Sequence, residues 1–289
     1  MSESKLKFLH RYLFLEYKLR LQNLRSFTFG YLEDCLDAVL GKRDTLTPPM
    51  SIRLKAGDFW SARYYRNKGK KYFKSCKTLC KVRPSDHILD IGCGCGQMAV
   101  QSLRYLTRKG SYTGVDINQE EINWCKKNIE PIRENFQFSL LDIFNKIYNP
   151  QGRHNASSFK FPYKNSTFDF IILISVFTHM TPKGMENYVS EISRLLKKGG
   201  RCFITFFLLN PDAIRHMDKK LNTIEFPNDY GQYRLLDEST PEVAIAYKEQ
   251  YIRKIFLKHG LTIKEPIHFG SWCGRRRYWD YQDLVIITK

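Results

Sequence analysis

The sequence predicts an α/β protein: a doubly wound, mainly parallel sheet with a helical N-terminal extension and an antiparallel hairpin at its end. From residue 86 onward, short apolar runs alternate with helical patterns, which is typical of parallel strands covered by helices on both faces. A glycine-rich turn at 92–96 joins the first apolar run to the first helical pattern. The last two apolar runs, 261–269 and 284–288, lie too close together for a helical crossover, so they should pair antiparallel.

Residues 1–50 form the predicted helical extension. Apolar residues recur at helical spacing between Leu6 and Leu24, and lysines and arginines occupy the remaining faces. This basic amphipathic helix either packs on the main domain as a cap or contacts an anionic membrane or glycolipid surface. Pro48 and Pro49 mark the boundary before the main domain, residues 51–289.

A second basic segment, 60–83, is also predicted to be helical. It mixes lysines and arginines with aromatic residues and contains no acid. Such a mixture occurs in helices that bind nucleic acid, and also in helices that dock one face and expose the other to water. The solvated helix is the expectation, because it needs no partner.

The main domain contains five predicted parallel strands with helices between them. The strands are expected at 87–91, 111–115, 136–141, 168–175 and 201–208, and the helices at 97–108, 119–128 and 184–198. A further helix is expected at 241–259, because Pro241 suits a helix start and Gly260 a helix end. Residues 210–239 are too long for a simple connection and predict a lid that carries Tyr230 and Tyr233.

The composition limits the possible functions. The chain has 289 residues, and its net charge of +18 favours anionic partners without identifying one. The longest apolar stretch, 168–177, is too short to span a bilayer. The eight cysteines lack the paired spacing of a zinc site, so no metal is expected. The N-terminus has no signal-peptide core, so reduced thiols and a cytoplasmic location are expected.

The turn 90–96, with the sequence DIGCGCG, lies where doubly wound folds bind cofactors, at the carboxyl end of a strand. Asp116 ends the next predicted strand, where an acid can hold ribose hydroxyls. Dinucleotide-binding folds share this arrangement, but Gln97 replaces the third glycine of their G-x-G-x-x-G pattern. The spacing therefore disfavours a pyrophosphate site.

Five segments in order resemble the class I methyltransferases that use S-adenosylmethionine (SAM). They are LDIGCGCG (89–96), GVDI (114–117), LLDI (140–143), FPYKNSTFDFIILISVFTHM (161–180) and LLKKGGR (195–201). The resemblance covers residues 86–207. It implies a Rossmann-like, seven-stranded sheet with an antiparallel C-terminal hairpin, and SAM as the cofactor.

The resemblance also implies a set of cofactor-binding residues. The methionine part of SAM would be surrounded by Asp90 and by the backbone of Gly92, Cys93, Gly94 and Gly96. Asp116 would bind the ribose, and Ile117 would pack on the adenine. Asp142 and Ile143 would contact the adenine edge, and Ser175 would line the methionine end.

His179 is the candidate catalytic residue. It follows the strand that ends near Ser175, so it should project over the same edge of the sheet as SAM. The ordinary pKa of histidine suits a general base for a hydroxyl acceptor. In similar enzymes that act on sugars and natural products, a histidine in this loop can serve as the base, and elsewhere it only shapes the pocket. Both roles stay open for His179.

Aromatic and arginine side chains crowd the turn of the terminal hairpin. Strand direction places this turn on the cofactor side of the sheet, where rings beside arginines suit a sugar, a nucleotide or an acidic acceptor. Trp272, Arg275 and, from the lid, Tyr230 are the candidate acceptor-binding residues. The alternative is a solvated turn with an aromatic plug.

Together these features predict a methyltransferase that acts on an oxygen or nitrogen of a small molecule, such as a sugar, a glycolipid precursor or a natural product. An RNA methyltransferase is the alternative that the positive charge favours, but residues 175–178 lack an Asn-Pro-Pro-Tyr-type motif of base methylation. A non-catalytic binding module on the same fold is the alternative from another class.

Overall fold

A computed structural model describes residues 28, 30–32, 34–36, 39–40, 44–57, 59 and 61–289. The predicted amphipathic helix between Leu6 and Leu24 lies outside these residues. The chain forms two compact units, Met1–Lys71 and Tyr72–Lys289. The domain boundary predicted at residues 50–51 stays a prediction.

The first unit contains the short helix α1 (Met50–Arg53) and the start of α2 (Ala62–Leu79). The buried guanidinium of Arg53 connects several of this unit's described residues. Arg53 donates hydrogen bonds to both carboxylate oxygens of Asp34, at 3.1 and 3.0 Å, and to the carbonyl of Pro48 at 2.6 Å. These bonds compensate the cost of burying the charge, so we assign Arg53 a structural role.

The second unit contains a large and a small sheet. The strands in chain order are β1 (His87–Ile91), β2 (Ser111–Asp116), β3 (Phe136–Leu140), β4 (Phe168–Leu173), β5 (Leu196–Phe206), β6 (Leu208–Leu209), β7 (Asn228–Asp229), β8 (Tyr233–Leu235), β9 (Ile245–Lys248), β10 (Thr262–Ile263) and β11 (Asp283–Thr288). The large sheet has the order β10-β11-β5-β4-β1-β2-β3. Strands β1 to β5 are parallel, and β11 pairs antiparallel with β5 and with β10. The predicted seven-stranded sheet with a terminal hairpin is confirmed.

Helices cover this sheet as the alternating pattern predicts. They are α3 (Gln97–Leu103), α4 (Gln119–Asn128), α5 (Pro182–Leu195), α6 (Pro211–Asp218) and α7 (Glu249–Lys258), with 3-10 turns at Glu130–Ile132, Phe177–His179 and Pro241–Val243. The side chain of Asn118 caps α4 by accepting from the N–H groups of Glu120 and Glu121. Helix α3 ends five residues before the predicted position, 108, where the guanidinium of Arg133 binds the carbonyls of Leu103 and Leu106.

The core lies on both faces of the large sheet. The last four residues of β4, from Phe170 to Leu173, have no exposed surface, as expected for a central strand between two helical layers. All eight cysteines lie among the described residues and have free thiols. No helix in the described part of the chain is long and apolar enough to cross a bilayer.

The helix predicted at 241–259 is wrong in its first half. Residues 241–243 form a 3-10 turn, 245–248 form β9, and only Glu249–Lys258 is α-helical. Strand β9 pairs with β6 and β8, and β8 pairs with β7, which makes a four-stranded sheet. Four consecutive residues, 244–247, are buried. Continuous burial of this kind is typical of a strand that pairs on both sides, as β9 does with β6 and β8.

The strand predicted at 261–269 is shorter than expected. Regular pairing with β11 is confined to Thr262 and Ile263, and a single bridge joins His268 to Leu284 farther along. Pro266 lies between them and has no N–H group to donate to the neighbouring strand. The antiparallel direction of the hairpin is nevertheless as predicted.

Candidate active site

The glycine-rich loop follows β1 at the carboxyl edge of the parallel strands. The N–H groups of Gly92 and Cys93 both donate to the carbonyl of Val115, at 2.8 and 3.1 Å. Gly92, Gly94 and Gly96 have φ values of 75°, 52° and 81°, in the left-handed region that glycine adopts without a steric penalty. A Cβ atom at Gly92 would lie 2.5 Å from Cγ2 of Val176. Val176, which follows the end of β4, therefore packs against the backbone of Gly92 and leaves no room for a side chain there.

Asp116 joins the end of β2 to this loop. Its Oδ2 accepts a hydrogen bond from the N–H of Gly94 at 2.7 Å, and its Oδ1 accepts from the N–H of Asn118 at 2.9 Å. Burial raises the pKa of Asp116, and these backbone donors lower it. Each carboxylate oxygen has a second lone pair, so Asp116 can still accept hydroxyl donors from a ligand. Ile117, the next residue, packs partly buried against the main core.

Asp90 lies below the loop, inside the core. It is 2% exposed and accepts a hydrogen bond from the hydroxyl of Tyr112, whose ring stacks on Phe136. Burial raises the pKa of Asp90 to about 7. The carboxyl group is thus held in the core by Tyr112, on the neighbouring strand β2.

We expect the stability contributed by Asp90 to fall as pH rises. Its pKa is about 7 in the folded chain against 3.8 for the free group, so folding favours the protonated carboxyl. This contribution is complete below about pH 4 and is lost as pH rises through about 7. The neutral variant Asp90→Asn lacks the effect. In urea unfolding, the stability of the wild type relative to this variant should drop by on the order of 3 kcal/mol between those pH values. Parallel pH profiles for the two proteins would contradict the assignment.

Asp142 and Ile143 follow the end of β3. The carboxylate of Asp142 accepts from the N–H of Arg153 at 3.0 Å and pairs with the guanidinium of the same residue. These contacts lower the pKa of Asp142, so the group is ionised at neutral pH. Ile143 is 2% exposed, and its N–H donates to the carbonyl of Leu141. Its side chain belongs to the core, so only Asp142 presents a polar group at this position.

The end of β4 carries a hydrogen-bonded triplet that sequence reasoning did not assemble. The N–H of Ser175 donates to Oγ1 of Thr205 at 2.8 Å, and the hydroxyls of both residues donate to Oε1 of Gln282, at 3.0 and 2.6 Å. Ser175 has a φ of 58°, which is uncommon for a residue other than glycine. The sequence signal for this triplet was Thr205 within the apolar stretch 202–208.

His179 ends the 3-10 turn after Ser175. Its Nδ1 lies 2.9 Å from the carbonyl oxygen of Glu242, so Nδ1 carries the proton and donates it to this acceptor. Burial lowers the pKa of His179 below its ordinary value. The ring also meets Tyr148 edge to face, with 5.5 Å between ring centroids. The imidazole is therefore neutral at physiological pH, with its basic lone pair on Nε2.

In the terminal turn, Trp272 and Arg275 contact other protein side chains. Trp272 is fully buried, meets Phe207 and Phe226 edge to face, and donates from Nε1 to Asp283 at 2.7 Å. Arg275 lies 4.6 Å from the ring centroid of Phe269 and donates to Oδ1 of Asn210 at 2.8 Å. Trp272 has no free surface for an acceptor, and Arg275 is engaged with its neighbours. Neither placement supports the acceptor contact predicted for these two residues.

Tyr230 is exposed in the predicted lid. Its ring stacks on that of Tyr233 with 5.1 Å between centroids and 7° between planes, and its hydroxyl donates to Glu238 at 2.9 Å. The structure thus brings together the glycine loop with Asp116, and Ser175 with Gln282, while His179 follows at the same edge. Trp272 and Arg275 belong to a separate buried cluster.

Comparison with known proteins gives consistent matches. Residues 89–204 match the family described as a methyltransferase domain. An O-methyltransferase of Pyrenophora dematioidea is 30% identical over 149 residues, which are 48% of each chain. A ubiquinone/menaquinone biosynthesis C-methyltransferase of Wigglesworthia glossinidia brevipalpis is 27% identical over 136 residues, 47% of this chain and 48% of its own. The chain spans about half the length of the curated relatives it matches.

Solved structures also support the fold. A SAM-dependent methyltransferase from Methanosarcina mazei aligns with a TM-score of 0.50 and 22% identity, covering 72% of this chain and 94% of the other. At that identity the match concerns the fold. The acceptor atoms of the two curated relatives differ, one being an O- and the other a C-methyltransferase.

Proposed function

We propose that this chain is a class I SAM-dependent methyltransferase, which transfers a methyl group from SAM to an oxygen or nitrogen of a small molecule. The observation that carries this proposal is the neutral, oriented imidazole of His179 at the carboxyl edge of the sheet. An acceptor hydroxyl or amine that must lose a proton needs such a base, positioned by a second hydrogen bond.

The residues at this edge fit SAM. The glycine loop has no side chain at Gly92, Gly94 or Gly96, and the positive φ values of these residues disfavour any other residue type there. Asp116 would hold the ribose hydroxyls, because its carboxylate is fixed by two backbone N–H groups and keeps free lone pairs. Asp142 is ionised and presents a polar group for the adenine edge. When bound, SAM supplies the methyl group on a positively charged sulfur.

His179 is proposed to act as the general base. The carbonyl of Glu242 holds the proton on Nδ1, so Nε2 accepts the proton that leaves the acceptor oxygen or nitrogen as the methyl group arrives. The resulting imidazolium is stabilised by the same hydrogen bond to Glu242. The backbone carbonyl of Glu242 thus orients the imidazole of His179, and no carboxylate is needed for this purpose.

The His179→Ala variant should bind SAM with nearly unchanged affinity and transfer methyl groups on the order of 100-fold more slowly, because only the proton acceptor is lost. Calorimetric titration with SAM and a single-turnover rate measure the two quantities separately. An unchanged rate would remove His179 from the chemistry.

The pH profile gives an independent check on this base. Burial lowers the pKa of His179 from 6.5, so the basic form is complete at neutral pH and disappears only in more acidic solution. The wild-type rate should therefore be level through neutral pH and fall only in solution more acidic than the ordinary pKa of histidine, whereas the residual rate of His179→Ala should lack this fall.

The acceptor is proposed to enter between aromatic rings. Tyr148 contacts the ring of His179, and Tyr230 is exposed on its stack with Tyr233 in the segment 210–239, the predicted lid. Flat aromatic faces can hold a sugar or a planar natural product. Of the candidate acceptor residues named from the sequence, only Tyr230 remains part of this proposal.

A labelling experiment tests the proposed function. The protein is incubated with SAM labelled in the methyl group and with separated cell fractions, and each fraction is then counted. Label in polar metabolites or in a lipid extract supports a small-molecule acceptor. Label in RNA would contradict it, and failure to bind SAM in calorimetry would instead support a non-catalytic module.

A further inference from the structure

Seven exposed lysines and arginines lie within residues 72–115 without an exposed acid. They are Lys74, Lys77, Lys81, Arg83, Arg104, Arg108 and Lys109. The two acids of this stretch, Asp86 and Asp90, are buried. None of the seven cations has an ion-pair partner among the residues that the structure describes. We call this set the basic edge.

Contacts between three segments bring these cations together. The hydroxyl of Tyr105 donates to the carbonyl of Val82 at 2.7 Å, and the N–H of Thr107 donates to the carbonyl of Pro84 at 2.8 Å. The amine of Lys77, near the end of α2, lies 5.3 Å from the centroid of the Tyr105 ring. The end of α2, residues 81–84 and residues 104–109 therefore form one surface with a fixed arrangement of charges.

The basic edge lies at the opposite side of the sheet from the candidate active site. Its segments lead directly into His87 and Ser111, the first residues of the parallel strands β1 and β2, whereas the glycine loop follows the other end of β1. A strand of five residues separates them by roughly 17 Å. Binding of a small acceptor beside His179 does not explain a concentration of charge at this distance.

We propose that the basic edge binds the phosphate backbone of a nucleic acid. Lysine and arginine side chains without ion-pair partners neutralise phosphates and release counterions, which requires no base-specific contact. The exposed hydroxyl of Ser85 can add a hydrogen bond to a phosphate oxygen, whereas those of Thr78 and Thr107 donate to the backbone carbonyls of Lys74 and Pro84.

The alternative polyanion, a bilayer surface, fits less well. Interfacial segments insert apolar side chains between lipids, and residues 72–131 expose no large hydrophobic side chain. Nucleic acid bound at the basic edge leaves the carboxyl edge open, so the protein can bind it and a small acceptor together.

The experiment compares two quadruple variants of the full chain in binding a short, fluorescein-labelled, single-stranded RNA by anisotropy at several salt concentrations. The first variant carries Lys81→Gln, Arg83→Gln, Arg108→Gln and Lys109→Gln. The matched control removes the same charge at the opposite edge through Lys183→Gln, Lys219→Gln, Lys220→Gln and Arg276→Gln. We expect the first variant to bind RNA at least about tenfold more weakly and to reduce the steepness of the log–log salt dependence by about three, with little change in the control.

Several results would overturn the proposal. These are an equal loss in both variants, an unchanged salt dependence, or absence of wild-type binding at low salt. Vesicles containing phosphatidylserine serve as the second probe, and binding of vesicles in place of RNA would assign the surface to a membrane. Thermal unfolding checks that both variants are folded. If the first variant unfolds, the pairs Lys81/Arg83 and Arg108/Lys109 are replaced in two separate variants. RNA binding by each is then compared with that of the control in the same way.

Discussion

Replacing Asp283 with alanine is expected to destabilise the protein by about 4 kcal/mol, because it leaves several buried donors without an acceptor. The side chain of Asp283 is fully buried at the start of β11. Its Oδ1 accepts from the N–H of Gly270 at 2.6 Å, and its Oδ2 accepts from the N–H of Leu208 and from Nε1 of Trp272, each at 2.7 Å. One carboxylate thus joins the large sheet, the small sheet and the terminal turn.

Urea unfolding followed by tryptophan fluorescence measures this loss. Asp212→Ala is the matched control, since Asp212 is exposed and pairs only with its neighbour Arg215, and its loss should cost less than about 1 kcal/mol. Asp283→Asn keeps one oxygen in place and should lie between the two. Equal midpoints for Asp283→Ala and Asp212→Ala would show that the buried donors find other partners.

The large sheet could be predicted because its signals are local. The predicted apolar runs overlap β1 to β4 and the second half of β5, which begins at Leu196, five residues before its predicted start. The glycines of the turn 92–96 indicate its backbone conformation. The antiparallel hairpin followed from the length of a single connection. The order of the motifs along the chain then implied the family, and the structure confirms the seven-stranded sheet.

The small sheet could not be predicted because its strands find their partners far along the chain. Strand β9 pairs with β6, almost forty positions earlier, and in isolation residues 241–248 look like the first turns of the helix that follows. A helical pattern is weak evidence where every residue is buried. Pairing between distant segments decided the conformation.

The burial of Trp272 could not be predicted for a related reason. A tryptophan beside arginines suggests a binding surface, but its environment depends on Phe207 and Phe226, which lie outside the hairpin in sequence. The contact between Ser175 and Gln282 likewise joins residues that are 107 positions apart. Residue type indicates what a side chain can do, whereas burial decides whether it is available.

Replacing Asp116 with alanine should weaken SAM binding by about a thousandfold while the protein stays folded. Two charge-assisted hydrogen bonds to ribose hydroxyls contribute about 1.5–3 kcal/mol each, and a factor of ten in affinity corresponds to 1.4 kcal/mol, so about 4 kcal/mol is lost. The N–H of Gly94 donates to Asp116 at 2.7 Å, and the variant removes this acceptor. The glycine loop therefore loses one of its hydrogen bonds in addition to the contact with the ribose.

The variant Asp142→Ala separates the role of Asp116 from a general effect of removing an acid at this edge. Asp142 is paired with the exposed guanidinium of Arg153, so its loss should weaken binding far less, by about tenfold. Calorimetric titration with S-adenosylhomocysteine measures both variants without turnover. Titration with 5′-methylthioadenosine, which keeps the ribose but lacks the amino acid, should also show a large loss for Asp116→Ala, because the proposed contact is to the ribose. If Asp116→Ala weakens only the first ligand, the carboxylate acts through Gly94 on the methionine end, and the ribose must be held by another group.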